Sequence, residues 1–255
     1  MSGHSKWATI KRKKASTDAA RGRLFTRLIK EIAIAARDGG GNPEGNPRLR
    51  LAIQTAKAAN MPADNIKRAI QRGTGEMEGV TYEEITYEGY GPGGAAILVE
   101  VVTDNANRTV SELRHIFSRH NGNLGQAGSV AWMFQKQASI LIPKAGQKKG
   151  LSEDDILSII LEAGAEDVQS DDETYIVTTT PHSFEPVKKA LEDKSVVIES
   201  ASIQKVPQNT VRVTGKDAEQ LLRMMEAFEE HDDVQNVYSN LDIEEKELAA
   251  LQSSL

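Results

Sequence analysis

The sequence contains no cysteine, which excludes structural disulfides, thiol nucleophiles, iron–sulfur clusters and thiolate zinc sites. No apolar run approaches the roughly 18 residues that a membrane helix needs. The segment Met1 to Lys14 is basic but lacks the apolar block of a signal peptide. A soluble, cytoplasmic protein with no membrane partner is expected. Catalytic constellations are absent too. His115 and His120 do not share a helical face and have no metal-ligand spacing. His182 and His231 stand isolated at helix edges. The pairs Asp154-Asp155, Asp171-Asp172 and Asp232-Asp233 are adjacent rather than facing, and read as caps and turn residues. No nucleophile has an identifiable base. The expectation is a protein that is not an enzyme and carries no metal or cofactor.

What is present begins with charge. The 255 residues are 39% hydrophobic and 27% charged, enough apolar material for a core and too much for wholesale disorder. The net charge of −6 conceals a split. Residues 1–75 hold 16 Lys+Arg against 5 Asp+Glu, a balance of +11, and residues 76–255 hold 15 against 32, a balance of −17. An asymmetry of this size points to a basic module that meets a polyanion.

That module reads as a basic tail followed by three helices. Ser16, Thr17 and Asp18 can cap a helix that runs to Arg37 and stops at Gly39-Gly40-Gly41. Leu24, Leu28, Ile32 and Ala35 share one side with Phe25, Ile29 and Ala36. Arg23, Arg27, Lys30 and Arg37 fall within roughly 80° on the other, with Ile34 interrupting them and Glu31 and Asp38 flanking. The helix thus has one face for a core and one for an anion. Pro47 starts a second helix through Ala59. After the turn Asn60-Met61, Pro62 opens a third, with Ile66, Ala69 and Ile70 inward and Lys67, Arg68, Gln71 and Arg72 elsewhere. The short turn resembles a helix-turn-helix, but a plain helical hairpin is the favoured reading.

From Thr81 the periodicity changes. Tyr82–Tyr90 and Ala95–Thr103 read as strands, followed by a helix at Arg108–His120 and a strand near Val130–Phe134. A strand at 139–142, a helix at 152–163 opened by Ser152 with Asp155, strands near 166–170 and 173–179, a helix at 183–192 and a strand at 196–205 make a βαββαβ unit. A strand at Thr210–Thr214, a helix at Lys216–Glu229 and a strand near Val234–Asn240 complete an interrupted sandwich. The fold class is α+β: a three-helix domain at the start of the chain plus two ferredoxin-like α/β sandwiches, one inserted in the other. The expected domains are 1–80, then 81–135 with 207–243, then the insert 136–206. Residues 244–255 read as a loosely held short helix.

Four spaced motifs carry a resemblance. They are Ser2-Gly3-His4-Ser5-Lys6-Trp7 with Ile10-Lys11 and Lys14; Glu88-Gly89-Tyr90-Gly91-Pro92-Gly93-Gly94; Asp104-Asn105 with Asn107-Arg108-Thr109; and Gly122-Asn123-Leu124-Gly125 with Gly128-Ser129-Val130. Together they resemble the signatures of the YebC/PmpR family over nearly the whole chain. Members are described as DNA-binding transcriptional regulators, and others, including a mitochondrial translational activator, act at the ribosome. The resemblance implies a three-domain, non-enzymatic regulator of gene expression and leaves open which polymer it binds.

The residues themselves place the nucleic-acid contact on the basic module. Lys6, Lys11, Arg12, Lys13 and Lys14 can neutralise phosphates, and Trp7 can stack on an unpaired base or pin the tail as an apolar anchor. Arg21, Arg23, Arg27, Lys30 and Arg37 extend the set on the first helix, and Lys67, Arg68 and Arg72 on the third. The partner is duplex DNA, or structured ribosomal RNA and with it the ribosome. Gly89–Gly94 lacks the Lys-Ser/Thr ending of a P-loop and reads as a tight connection between strands. Gly122–Gly128 reads as a structural loop. Asp104, Asn105 and Arg108 read as a helix cap plus a salt bridge. A small-molecule sensor would need a pocket with convergent titratable groups, which the sequence does not offer.

Overall fold

A computed structural model describes residues 18–147, 152–170 and 173–252. Three helices come first: α1 (Asp18–Gly39), α2 (Pro47–Ala58) and α3 (Ala63–Gly73). Asn46 sets the geometry of the first corner. Its Oδ1 accepts the Leu49 N–H at 3.0 Å, which caps α2, while its Nδ2 donates to Ala35 O at 2.7 Å and Gly40 O at 2.9 Å. Leu28, Ile32, Ala35 and Ala36 of α1 pack on Leu49, Ala52 and Ala56 of α2, on Met61, and on Ile66 and Ala69 of α3. Both later helices lie mainly on α1, which makes α1 the spine of the bundle. At the crossing of α3 on α1 only glycine fits, because a Cβ on Gly73 would come within 2.2 Å of Ala33 O. Leu24, expected in the core, is 42% exposed and belongs to no core cluster of the bundle; the buried stripe of α1 begins with the partly buried Phe25 and with Leu28.

The rest of the chain runs β1 (Glu83–Tyr90), β2 (Ala96–Thr103), α4 (Ala106–Arg119), β3 (Asn123–Leu124), β4 (Phe134–Pro143), α5 (Glu153–Glu162), β5 (Asp167–Ser170) and β6 (Thr174–Thr179). It continues through α6 (Phe184–Asp193), β7 (Ser200–Pro207), β8 (Val211–Arg212), α7 (Gly215–Glu230), β9 (Val234–Ser239), β10 (Leu241–Asp242) and α8 (Glu245–Gln252). By compactness these residues divide into two units. One holds the described residues up to Met133 together with those from Asn209 onward; the other is Phe134–Gln208.

Within the first unit, β3-β1-β2-β9 form an antiparallel sheet, and β8 pairs in parallel with β10. Alternate residues of β2 (Ile97, Val99 and Val101) face Leu113 and Phe117 of α4 and Leu221, Met224, Met225 and Phe228 of α7. Phe117 and Phe228 meet edge to face with centroids 4.8 Å apart. The last helix is held more firmly than expected, since Leu248 is buried and Leu251 packs on this same core.

The second unit is a four-stranded antiparallel sheet in the order β5-β6-β4-β7 with the βαββαβ connectivity. Ala138, Ile140, Ile142 and Val177 point to one face and are fully buried. Ser152 and Asp155 form the capping box at the start of α5. One strand expectation is corrected. In place of strands near 130–134 and 139–142, Ala131–Met133 form a 3-10 turn and a single strand runs from Phe134 to Pro143. The turn arises because the backbone N–H groups of Val130 and Ala131 bond to the Glu88 carboxylate instead of to a neighbouring strand. Among the described residues no helix is long and apolar enough to cross a membrane.

Candidate nucleic-acid interface

Lys6, Trp7, Lys11, Arg12, Lys13 and Lys14 lie outside the described residues. The cations of α1 lie within them, and the structure turns their stripe inward. Arg27 Nη1 pairs with Glu229 Oε2 at 3.1 Å and its Nη2 donates to Glu229 O. Lys30 Nζ donates to Asp233 Oδ1 at 2.7 Å and Asp232 O at 2.9 Å, and stands 5.8 Å from the Tyr82 ring centroid. Arg23 approaches Glu230 at 3.8 Å, and Arg37 pairs with Asp38 at 2.8 Å and donates to Tyr82 O. The acids and carbonyls that meet Arg23, Arg27 and Lys30 fall at the C-terminal end of α7 or just beyond it, where unsatisfied carbonyls and the helix dipole favour cations. The face therefore serves as a docking surface against internal acids, which is why Ile34, the apolar interruption, is 1% exposed. Arg21 also has a partner within the molecule.

Asp233 is the centre of this docking. Besides Lys30, its carboxylate accepts from Arg108 Nη2 at 2.8 Å, Thr109 Oγ1 at 2.7 Å and Thr103 Oγ1 at 3.2 Å. Burial pushes the carboxyl pKa up, but hydrogen bonds from Lys30, Arg108 and Thr109 outweigh it and hold the group well below the usual carboxylate range. The hydrogen bonds that Arg108 donates to Asp233 and Asp104 raise its pKa in turn. Asp104 and Asn105 behave as expected: Arg108 Nη2 pairs with Asp104 at 2.8 Å, and Asn105 Oδ1 accepts the Arg108 N–H at 3.0 Å to cap α4.

One sequence reading is extended here and one is corrected. Asp233 lies in the expected turn but is also a buried network centre, and His231 is not isolated. The His231 Nδ1 accepts the Asp233 N–H at 3.1 Å, which leaves Nε2 to bond Glu112 Oε2 at 2.9 Å. Glu112, His231 and Asp233 bring one ligand atom each within 4.8 Å of one another. The donors do not suit a metal ion, because Asp233 already neutralises Lys30 and Arg108 and Nδ1 is occupied.

The outward set is on α3. Lys67, Arg68 and Arg72 are exposed, while Gln71 is half-buried. Helix α3 is held rigidly by the Gly73 crossing and by Ile66 and Ala69 in the bundle core. A cavity of about 670 Å³ opens beside its end, lined in part by Arg37, Arg72, Glu78 and Tyr82. Arg37 is committed to Asp38 and Tyr82 O.

The two glycine-rich motifs prove to be one construction. The Glu88 carboxylate accepts the N–H groups of Gly128, Val130 and Ala131, each at 2.7 Å, and the Glu88 carbonyl accepts Gly125 N–H at 2.7 Å. The Gly91–Ala95 connection closes on itself, Gly91 N–H to Ala95 O at 2.8 Å and Gly94 N–H to Gly91 O at 3.2 Å. Gly93 and Gly94 take φ of 69° and 76°, the left-handed region that a side chain would strain. The loop thus spends those donors internally. The Glu88-pinned segment carries Trp132, 66% exposed, next to Tyr90. Sequence reasoning missed the exposure of Trp132, because a strand over 130–134 disguised the turn; a tryptophan four residues after Gly128 was the available signal.

Comparison with known proteins places the sequence firmly. A family model described as "TACO1/YebC protein N-terminal domain" matches residues 5–76, and one described as "TACO1/YebC second and third domain" matches residues 82–241. A protein of Chlorobaculum parvum named "Probable transcriptional regulatory protein" is 57% identical over 253 residues, covering 99% of both chains. A Dictyoglomus turgidum protein of the same name is 58% identical over 251 residues, covering 98% of this chain and all (100%) of the other. The crystal structure of a conserved hypothetical protein from Aquifex aeolicus superposes with a TM-score of 0.81 at 48% identity, covering 91% of this chain and 94% of that one.

Proposed function

The chain belongs to the TACO1/YebC family, and from that premise we propose that it regulates gene expression by binding nucleic acid through exposed cations of the helical bundle. Its relatives are named as transcriptional regulators, and the reading is of a DNA-binding protein without catalytic activity. The observation that carries it is the outward set Lys67, Arg68 and Arg72 on a rigid helix, in a segment whose other cations are largely consumed internally. Such cations neutralise phosphates and release counterions, so affinity falls with salt. The tail cations Lys11 to Lys14 add to the same electrostatic term.

A half-buried Gln71 favours a second reading. With Gln71 only half exposed beside three exposed cations, α3 offers phosphate contacts more readily than a paired reading of adenine and guanine edges. Shallow sequence preference suits structured RNA, and hence a ribosomal target, as well as duplex DNA. The test is the salt dependence of binding by Lys67→Ala/Arg68→Ala/Arg72→Ala, measured with duplex DNA and with structured RNA of equal length. The slope of log K against log salt should fall by roughly 0.9 for each duplex phosphate that the variant no longer neutralises. An unchanged slope on both polymers would remove α3 from the interface.

A further inference from the structure

Two exposed aromatic side chains share one anchor. Tyr90 Oη donates to the Ser129 carbonyl at 3.1 Å, and Trp132 Nε1 donates to the same oxygen at 3.1 Å. Their polar atoms are thus no more than twice 3.1 Å, or 6.2 Å, apart. With those donors occupied, the two residues remain 66% (Trp132) and 37% (Tyr90) exposed. The support is rigid, because the Glu88 carboxylate fixes the backbone of Gly128, Val130 and Ala131.

The surroundings select the partner. Asn123 is the strand neighbour of Tyr90, and the segment just before it carries Arg119 and His120. Burial, then Arg119 and Arg223, push the His120 pKa down; Arg223 is paired with Glu219 at 3.0 Å, whereas Arg119 is exposed. Cations here stand out, since residues 76–255 carry a balance of −17. Exposed rings beside cations are the recurring means of holding unpaired nucleotides: the rings stack on bases and the cations follow the backbone. A peptide would be expected to use the indole and phenol donors, and both are already spent on Ser129 O.

We propose that Tyr90 and Trp132 form a stacking platform for an unpaired base of a single-stranded or looped nucleic acid, with Arg119 contacting its phosphates. This deepens the nucleic-acid reading above and rests on it, but uses a surface separate from α3. Of the two tryptophans in the chain, Trp7→Phe leaves Trp132 as the sole reporter in the full-length protein. A single-stranded oligouridine titrated into it should quench the indole emission saturably, and a fully paired RNA of the same length should not. On the same background Trp132→Ala should weaken oligouridine binding at least about fivefold, the lower end for one base–aromatic stack, and Trp132→Phe should restore most of it. Duplex binding should be unaffected by either change and should respond to the α3 substitutions. Saturable oligouridine binding with silent Trp132 emission and an unchanged Kd in Trp132→Ala overturns the platform alone. Absence of binding to both forms overturns the nucleic-acid reading with it.

Discussion

Helices α1 and α3 carry cations in similar density and use them in opposite ways. On α1, Arg23, Arg27 and Lys30 meet Glu230, Glu229 and Asp233, so the charge glues the bundle to the α/β core of the same unit. On α3, Lys67, Arg68 and Arg72 face solvent. A basic stripe on a helical wheel therefore says only that an anion is near. The distribution of acids elsewhere in the chain decides whether that anion is internal, and Glu229, Glu230 and Asp233 decide it for α1.

The contrast breaks most severely at Asp233. Asp233→Ala leaves the buried Lys30 and the Arg108 guanidinium without their shared carboxylate, and should cost about 3–5 kcal/mol in urea unfolding. Removing the charge together with its buried partner, as Lys30→Met/Asp233→Leu, should recover part of that loss. The same carboxylate gives a pH signature. Its folded-state pKa is depressed, so its contribution is fully present above the unfolded value near about 4 and is lost as pH falls below it. Asp233→Asn should accordingly flatten the acid limb of the stability profile. An acid limb of unchanged steepness would show that the network is not what α1 docks upon.

A smaller effect tests how α3 is mounted. Gly73→Ala places a methyl 2.2 Å from Ala33 O, so backbone must shift, at a cost of about 1–3 kcal/mol. The displaced helix should also bind nucleic acid less well. Retained stability with retained binding would show that the outward cations do not depend on this crossing. The smallest effect is expected at Arg23, whose contact with Glu230 is 3.8 Å long and half in solvent. Arg23→Ala should change stability by less than about 0.5 kcal/mol, against the large change at Asp233, and thermal unfolding of both variants in one buffer makes the comparison.

Local features of the fold were legible in the sequence. Pro47 and the Ser152–Asp155 pair mark helix starts that the structure contains, and the β-α-β-β-α-β order of the second unit follows from simple periodicity. The candidate site was legible only in part, for a physical reason. Lys30 and Asp233 are 203 positions apart, and Arg108 and Asp233 are 125 apart, so the sheet that joins them has to exist before their partnership can be seen. Likewise Glu88 finds its donors 40 to 43 residues later, and without it the 131–133 turn reads as strand. Charge count identifies the basic module, but which of its cations face outward is a tertiary property.

The central claim is that α3 faces the polyanion while α1 faces the protein, and lysine reactivity reads both at once. Reductive methylation of the free protein should modify Lys67 rapidly and Lys30, 7% exposed, slowly. Saturating duplex or structured RNA should then protect Lys67 and leave Lys30 as it was. Rapid modification of Lys30 in the free protein, or Lys67 labelled equally with and without nucleic acid, would contradict the account.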